Sequence, residues 1–579
     1  MANLSTFYGK MKNRDLTNNF QLNIHIMEGL MFKGQLGLRR TDGRTDNFKD
    51  PADPVYDVTP ADQKGELSRQ ENDNWSWNGK MMFYYNHVFG NHFINATAGG
   101  EISESKTESL SYVLNGFQLG NMHEPQFAAT QARPVNVSES KTRKIGFLAS
   151  VNYAYNDIYL FDGSFRLDGS SDFGSDKQFA PFWSVGAGLN VHNYDFLKGH
   201  WLISRLKLRA SYGSTGNVGF APYSAITTFQ TATDAWFFTG PAASLMALGN
   251  SRLTWQTTYK LDAGFNIGLL NDKITLEGSY YRNETEDLID DVKIPAYSGF
   301  TSYKENSGAT LNEGFEVALT STLFQNKDWM VTFMANLSSN RSKITELSEE
   351  MNAYNETILA EYEKEDSKYK DVLSRPLILY YEGKSLSAIY AVRSEGIDPA
   401  NGRERFVKKN GMSTYTWDAN DQVVVGDTEP DAKGSFGINV AWKGITLNAY
   451  FNYQWGGQSY NSTLAEKVEN AQISTQNVDK RVLSARWKNA GDVVPYYDLS
   501  KNPTQNPTSR FVQDDNRLDF TSLSIGYDFS RQLISKWKLK SLSVQFSAND
   551  LCKWRSVKEE RAINYPFARS FNFSLNVGF

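Results

Sequence analysis

FNFSLNVGF, residues 571–579, closes the chain and decides how the rest is read. Phe571, Phe573, Leu575, Val577 and Phe579 fall on one side of an extended backbone, and Asn572, Ser574, Asn576 and Gly578 on the other. A strand over a soluble core alternates in the same way. The ending separates the two cases. A soluble protein rarely leaves an aromatic residue as its last ordered one, whereas a strand with one side in lipid and the other in a wet lumen has this signature.

Composition agrees with the second case. The chain of 579 residues holds 30 Tyr, 36 Phe, 13 Trp and 43 Gly, which fits strands with aromatic girdles and tight turns. A mean hydropathy of −0.50 is no objection, because each lipid-facing residue of a barrel strand is diluted by a lumen-facing one. No stretch reaches the roughly 18 consecutive apolar residues of a transmembrane helix. The net charge of −5 gives no footprint for nucleic acid. Cys552 stands alone, which excludes an internal disulfide framework and a Cys-based zinc site. Residues 1–17 lack the apolar core of a secretory signal, so an outer-membrane location carries the expectation of a missing amino-terminal part.

Hairpins recur along the chain. Residues 18–40 form one, with its turn at Glu28-Gly29, followed by about thirty polar residues read as loop. WSWNGKMMFYYNHVF and HFINATAGGEI flank a turn at Gly90-Asn91, and a second long segment covers about 106–141. In the third hairpin Ile145, Phe147, Ala149, Val151, Tyr153 and Tyr155 share a face, and after Asn156-Asp157 the apolar side continues through Tyr159, Phe161, Phe165 and Leu167. Two further segments repeat the scheme, from Trp255 to Leu269 with a turn at Asn271-Asp272, and from Ile445 to Trp455. Short turns on one side and long loops on the other are the pattern of outer-membrane barrels.

Roughly seventeen membrane-length strands result. The first and the last both run from the outside towards the periplasm, so they cannot close an antiparallel barrel. The expectation is an unclosed sheet lacking an odd number of strands, with residues 4–12 as the remnant of one of them. Residues 342–375 place Ile344, Leu347, Met351, Tyr354 and Ile358 at helical spacing, which predicts one or two helices in an external loop. Residues 460–515, polar and Asn/Gln-rich, read as a large ordered loop.

Several blocks in order resemble the SusC/RagA family of TonB-dependent outer-membrane transporters. FRLDGSSDFG (165–174) with FAPFWSVGAGLNVHNYDFL (179–197) is similar to the family's Arg-x-Asp-Gly-Ser-Ser segment and the hairpin after it. SRLKLRASYGSTGN (204–217), LTWQTTYKLDAGFNIGLLNDKITLEGSYYRNETEDLI (253–289) and NEGFEVALTS (312–321) follow in the family's order. EGIDPANGRERF (395–406), RWKNAGDVVPYY (486–497) and the terminal nonapeptide complete the series, while SANDLCKWR (547–555) departs from the usual Asn-Leu-Leu-Thr pattern. The resemblance implies an all-β fold, a transmembrane antiparallel β-barrel of about 22 strands with long extracellular loops containing short helices. Residues 1–579 then read as its carboxy-terminal part, with signal peptide, TonB-box, plug and first strands expected to be absent. It further implies import of glycan or peptide fragments across the outer membrane of a Gram-negative, Bacteroidetes-like cell. The implied partners are a SusD-like surface lipoprotein, TonB-ExbB-ExbD, the barrel assembly machinery, which would read Phe571, Phe573, Leu575, Val577 and Phe579, and outer-membrane lipid. A passive porin-like barrel and a surface adhesion β-protein are the alternatives.

For chemistry beyond transport the residues offer little. The six histidines are scattered without a His-x-x-x-His pair; His87 and His92 flank one turn. Asp418-Ala419-Asn420-Asp421 starts like a calcium loop but lacks the Gly and Glu such a loop needs. No nucleophile elbow is present, so no enzyme, metal or cofactor is expected. Residues 218–246 concentrate Phe220, Tyr223, Phe229, Trp236, Phe237 and Phe238. Tyr223, Trp236, Phe237 and Phe238 are the candidate substrate-binding set, because exposed rings stack on sugar faces or peptide side chains. The same rings would equally serve to pack the loop on the wall. Lys207, Arg209 and Arg166 are expected on the lumen face, towards a plug.

Overall fold

Each tight turn read from the sequence is a point where the chain reverses. Gly29 (φ +78°), Gly90 (φ +59°), Asn156 and Asp157 (φ +53° and +55°), and Asn271 and Asp272 (φ +57° and +59°) all take the left-handed backbone that hairpin loops of two to four residues use here. Gly29 has a second reason to lack a side chain: a Cβ there would lie 2.4 Å from the Asn86 carbonyl oxygen. The computed structural model describes all residues except 1–6, 175–176, 221, 238–239, 294–301, 363, 365–373, 472–477, 479, 499–505 and 559–568.

Among the described residues the turns join seventeen strands into one antiparallel sheet. The sheet starts with β1 (Phe7–Met27), β2 (Leu30–Lys49), β3 (Glu66–Phe89), β4 (His92–Asn115) and β5 (Thr130–Tyr155). It continues with β6 (Tyr159–Ser170), β7 (Phe179–Asn190), β8 (Ile203–Asn217), β9 (Gln256–Leu269), β10 (Ile274–Glu286) and β11 (Ala309–Gln325). It ends with β12 (Trp329–Glu346), β13 (Ala432–Trp442), β14 (Ile445–Trp455), β15 (Arg517–Asp528), β16 (Ser541–Arg555) and β17 (Ser570–Gly578). Every strand pairs with its neighbours in sequence; β1 and β17 are the two edges and do not pair with each other. Both edges run the same way, so the sheet is unclosed for the reason the strand directions required.

Register sorts the side chains into two faces. One rung runs Gln21, Gln35, Lys80, Glu101, Gly146, Asp168; an adjacent rung runs Leu22, Gly34, Met81, Gly100, Phe147, Leu167. The apolar side stays open: Met81, Phe147, Phe573 and Phe579 are 67, 53, 73 and 81% exposed. Such a continuous apolar surface is tolerable only against lipid or a partner. Polar side chains on the other face are satisfied sideways, as where Ser164 and Ser184 hydroxyls meet at 2.7 Å across β6 and β7. Rings line the rim with the short turns, where Tyr155, Tyr159, Tyr194 and Phe196 follow one another at 5.7–6.4 Å.

Three boundaries differ from the sequence reading. Residues 7–12 belong to β1 and are not the remnant of another strand. The polar stretches after residue 40 and around 106–141 are mostly strand, leaving loops only at 50–65 and 116–129. The apolar alternation stops towards the long-loop end of these strands, but backbone pairing continues because it needs no apolar side chain. Ile344 lies in β12 and is buried, while the helix over Glu349–Tyr362 carries the other residues of that helical pattern from Met351 on. The second helix read up to residue 375 falls outside the described residues.

Candidate functional site

The longest connections emerge at one end of the sheet, and the site is built from them. The segment between β8 and β9 is anchored first. Phe173, Phe182 and Trp255 form a buried cluster, with Phe173 stacked on Trp255 at 4.5 Å and Phe182 edge-on to it at 5.6 Å. Phe220 joins that cluster, its ring 5.1 Å from Phe173, so this ring packs the loop. Tyr223 sits at φ +70° and its hydroxyl accepts the Lys141 N–H at 2.9 Å, tying the loop to β5. Phe229 is 67% exposed. Residues Thr228–Phe237 and Gly240–Ala247 form a hairpin with Trp236 opposite Pro241 and Phe237 opposite Gly240. The Trp236 and Phe237 side chains, and all of Phe238, fall outside what is described.

A second unit was not legible as a unit in the sequence. Strands Ala388–Ile397, Glu404–Val407 and Gln422–Asp427 form a small sheet that packs through Ala388 and Tyr390 on Ile358 and Leu359 of the helix. Burial pushes the Tyr390 hydroxyl up to about 12. The connection between β14 and β15 is locked to this sheet by Arg510. Its guanidinium donates to Glu404 at 2.9 and 3.1 Å and to Glu469 at 2.6 and 2.7 Å. Burial opposes the Arg510 charge, but the two carboxylates outweigh it and raise its pKa. Burial likewise pushes the Glu469 carboxyl up, against the pull of Arg510. Arg486 completes the lock by donating to the carbonyls of Val482 (2.5 Å), Tyr497 (3.1 Å), Glu469 (2.7 Å) and Val468. Its pKa falls because burial leaves that charge facing dipoles. Glu404 and Arg486 lie inside the blocks EGIDPANGRERF and RWKNAGDVVPYY.

Arg166 and Arg209 lie on the polar face, as expected, and both already have partners. Arg166 binds Asp168 at 2.6 Å and also Glu101, which Lys80 reaches at 2.9 Å. Arg209 lies 3.4 Å from Asp262. His92 is 2.7 Å from the Tyr153 hydroxyl, while His87 packs on Phe89 at 4.1 Å, so the two histidines serve different neighbours. Asp418 caps the short helix after it by accepting the Asn420 N–H at 2.8 Å. Among the described residues no group of three or more His, Cys, Asp or Glu could hold a metal ion.

Comparison with known proteins adds the following. The family model "TonB dependent receptor-like, beta-barrel" matches residues 2–472. TonB-dependent receptor P3 of Formosa agariphila is 25% identical, across 97% of this chain and 58% of its own. TonB-dependent receptor SusC of Bacteroides thetaiotaomicron is 27% identical, across 48% of this chain and 29% of its own. The RagAB peptide importer in its open-open state superposes with a TM-score of 0.84 at 23% identity, across 99% of this chain and 62% of that one. These relatives are receptors and transporters, not enzymes. The chain spans less than two thirds of the length of each.

Proposed function

The chain belongs to the TonB dependent receptor-like β-barrel family, and on that premise we propose that it is barrel wall and external vestibule of an outer-membrane nutrient importer. The cargo is an oligomer, a glycan or peptide fragment, captured under a SusD-like surface lipoprotein. TonB-ExbB-ExbD supplies the pull, acting on parts of the importer other than the strands described above. The observation that carries the reading is the division of labour along the chain. One end of the sheet has tight turns and two connections of a dozen residues, and the other holds the longest loops, in an assembly stiffened by a buried Arg510–Glu404–Glu469 network, which suits a surface that must hold its shape against a large ligand and a lid. Tyr223, Trp236, Phe237 and Phe238 are proposed to meet the ligand. Phe571, Phe573, Leu575, Val577 and Phe579 are proposed as the assembly signal.

Uptake of fluorescent glycan and peptide fragments by cells carrying the whole importer tests this. Accumulation should need the inner-membrane proton gradient and should fall when Trp236 and Phe237 are both changed to Ala. Uptake that persists after the gradient is collapsed would favour a passive pore instead.

A further inference from the structure

Of the two longer connections at the short-turn end, the one between β7 and β8, residues 191–202, does not hang free. Asn190 and Asn193 both donate their side-chain amides to the Asp157 carbonyl, at 2.7 and 2.9 Å. His192 donates from Nδ1 to the Leu206 carbonyl at 3.1 Å. The N–H groups of Leu197 and Lys198 share the Tyr194 carbonyl at 2.9 Å, and the Leu270 N–H donates to the Leu202 carbonyl at 2.8 Å. The segment is thus tied to the β5–β6 turn on one side and to the β9–β10 turn on the other. Each of the strands β5 to β10 is paired along both sides, so this is an interior part of the sheet.

This fixed segment holds out two large rings. Phe196 and Trp201 are 73 and 72% exposed. The way Phe196 faces follows from the rings it meets. Tyr155 and Tyr159 pair at the foot of β5 and β6, on the apolar face of the wall. Tyr194 sets its ring edge-on to Tyr159 at 6.2 Å and donates its hydroxyl to the Tyr159 hydroxyl at 2.9 Å. Phe196 stacks in turn on Tyr194 at 5.7 Å. The series of rings therefore leaves the wall on its apolar side, away from the lumen. Trp201 stacks on His200 at 6.3 Å and stands two residues before Ile203, which pairs with Leu269 at the foot of the same face. The connection between β15 and β16 is built alike: Phe529 sets its ring edge-on to Tyr527 at 4.8 Å, and Leu533 and Trp537 beyond it are exposed.

We propose that the β7–β8 connection lies in the headgroup layer of the periplasmic leaflet, with Phe196 and Trp201 turned into the bilayer. The proposal rests on the outer-membrane reading above and adds to it an anchor outside the strands. Its occupant is lipid because the two rings extend a face that already meets lipid, and an apolar surface of that extent calls for a covering phase. Aromatic side chains favour this level of a membrane, where one edge is apolar and the other wet. Since hydrogen bonds already fix the segment, insertion costs little further ordering. Sliding or tilting of the wall at this point would drag both rings into water, which the hydrophobic effect resists.

Bimane on single cysteines reports the depth, in the whole importer with its own cysteines, Cys552 among them, changed to Ser. The importer is placed in nanodiscs of phosphatidylethanolamine and phosphatidylglycerol, with or without lipid carrying a nitroxide on one acyl chain. Phe196→Cys and Trp201→Cys should each lose emission to the nitroxide lipid and little to iodide in the water. Val151→Cys, on the outward face of β5, should lose emission to the lipid as well, whereas Val58→Cys, 96% exposed in the loop at 50–65, should lose it to iodide. Heat-modifiable gel migration verifies folding; if either ring variant fails to fold, Lys198→Cys, exposed between the two rings, is read in its place. Quenching by iodide alone, or by neither agent, at either position would overturn the proposal, since water or another protein would then cover the rings. Lipid quenching that is missing at Val151 too would overturn the outer-membrane reading itself.

Discussion

The strand wall and the external loop unit solve the same problem, satisfying polar groups, in opposite ways. The wall spreads the task over a continuous ladder in which β2, for instance, pairs along its whole length with β1 and β3. No single side chain dominates there. The loop unit concentrates the task in a few buried ions: Glu469 is 3% and Arg486 5% exposed, and Arg510 bridges two carboxylates. A repetitive structure tolerates local damage, whereas a concentrated one depends on individual residues.

The comparison can be broken at several points. Arg510→Met leaves Glu404 and Glu469 buried without their cation, and should cost the loop unit about 3–5 kcal/mol. Limited proteolysis should then cut within 388–515 while the strands still migrate as a folded barrel on unheated gels; loss of both together would mean that wall and loops are one cooperative unit. Phe165→Arg, on the lipid face between Ala149 and Trp183, should cost about 2–4 kcal/mol. Ser164→Ala on the opposite face removes only the contact with Ser184 and should cost under about 1 kcal/mol; urea titration in lipid vesicles compares the two. If both variants cost the same, the assignment of faces is wrong. Tyr223→Phe should weaken the tether to Lys141 by about 1 kcal/mol, seen as faster amide exchange at Lys141.

The smallest effect is a pH response. Asp398 accepts from the Tyr415 hydroxyl and, at 2.8 Å, from the Ala400 N–H, which together hold its carboxyl below the usual range. A depressed carboxylate stabilises the fold above its ordinary pKa and loses that contribution as pH falls through the depressed value. The protection of the Ala400 and Arg403 amides, taken as exchange relative to the intrinsic rate at each pH, should therefore fall on acidification through that window, and not on a shift from neutral to mildly alkaline pH.

Much of the wall was legible in residue order alone. Alternation with a period of two is a local property, so Phe571 to Phe579 announce a two-faced strand without any knowledge of neighbours. Gly29, Asn156-Asp157 and Asn271-Asp272 mark their turns because few residues tolerate a positive φ. Strand direction follows from counting turns, and with it the failure of β1 and β17 to pair. The outer reaches of β1–β5 were not legible, since Ser, Thr, Asn and charged residues towards the long-loop end give no apolar period and read as loop.

What only the tertiary structure decided is which distant residues meet. Glu404 and Arg510 lie 106 positions apart and Lys141 and Tyr223 lie 82 apart, and no periodicity links them. Likewise, Lys12 is a strand residue like any other until register sets it opposite Arg44. Local backbone and solvent preferences are written residue by residue; partnerships depend on how the ladder aligns one strand with the next.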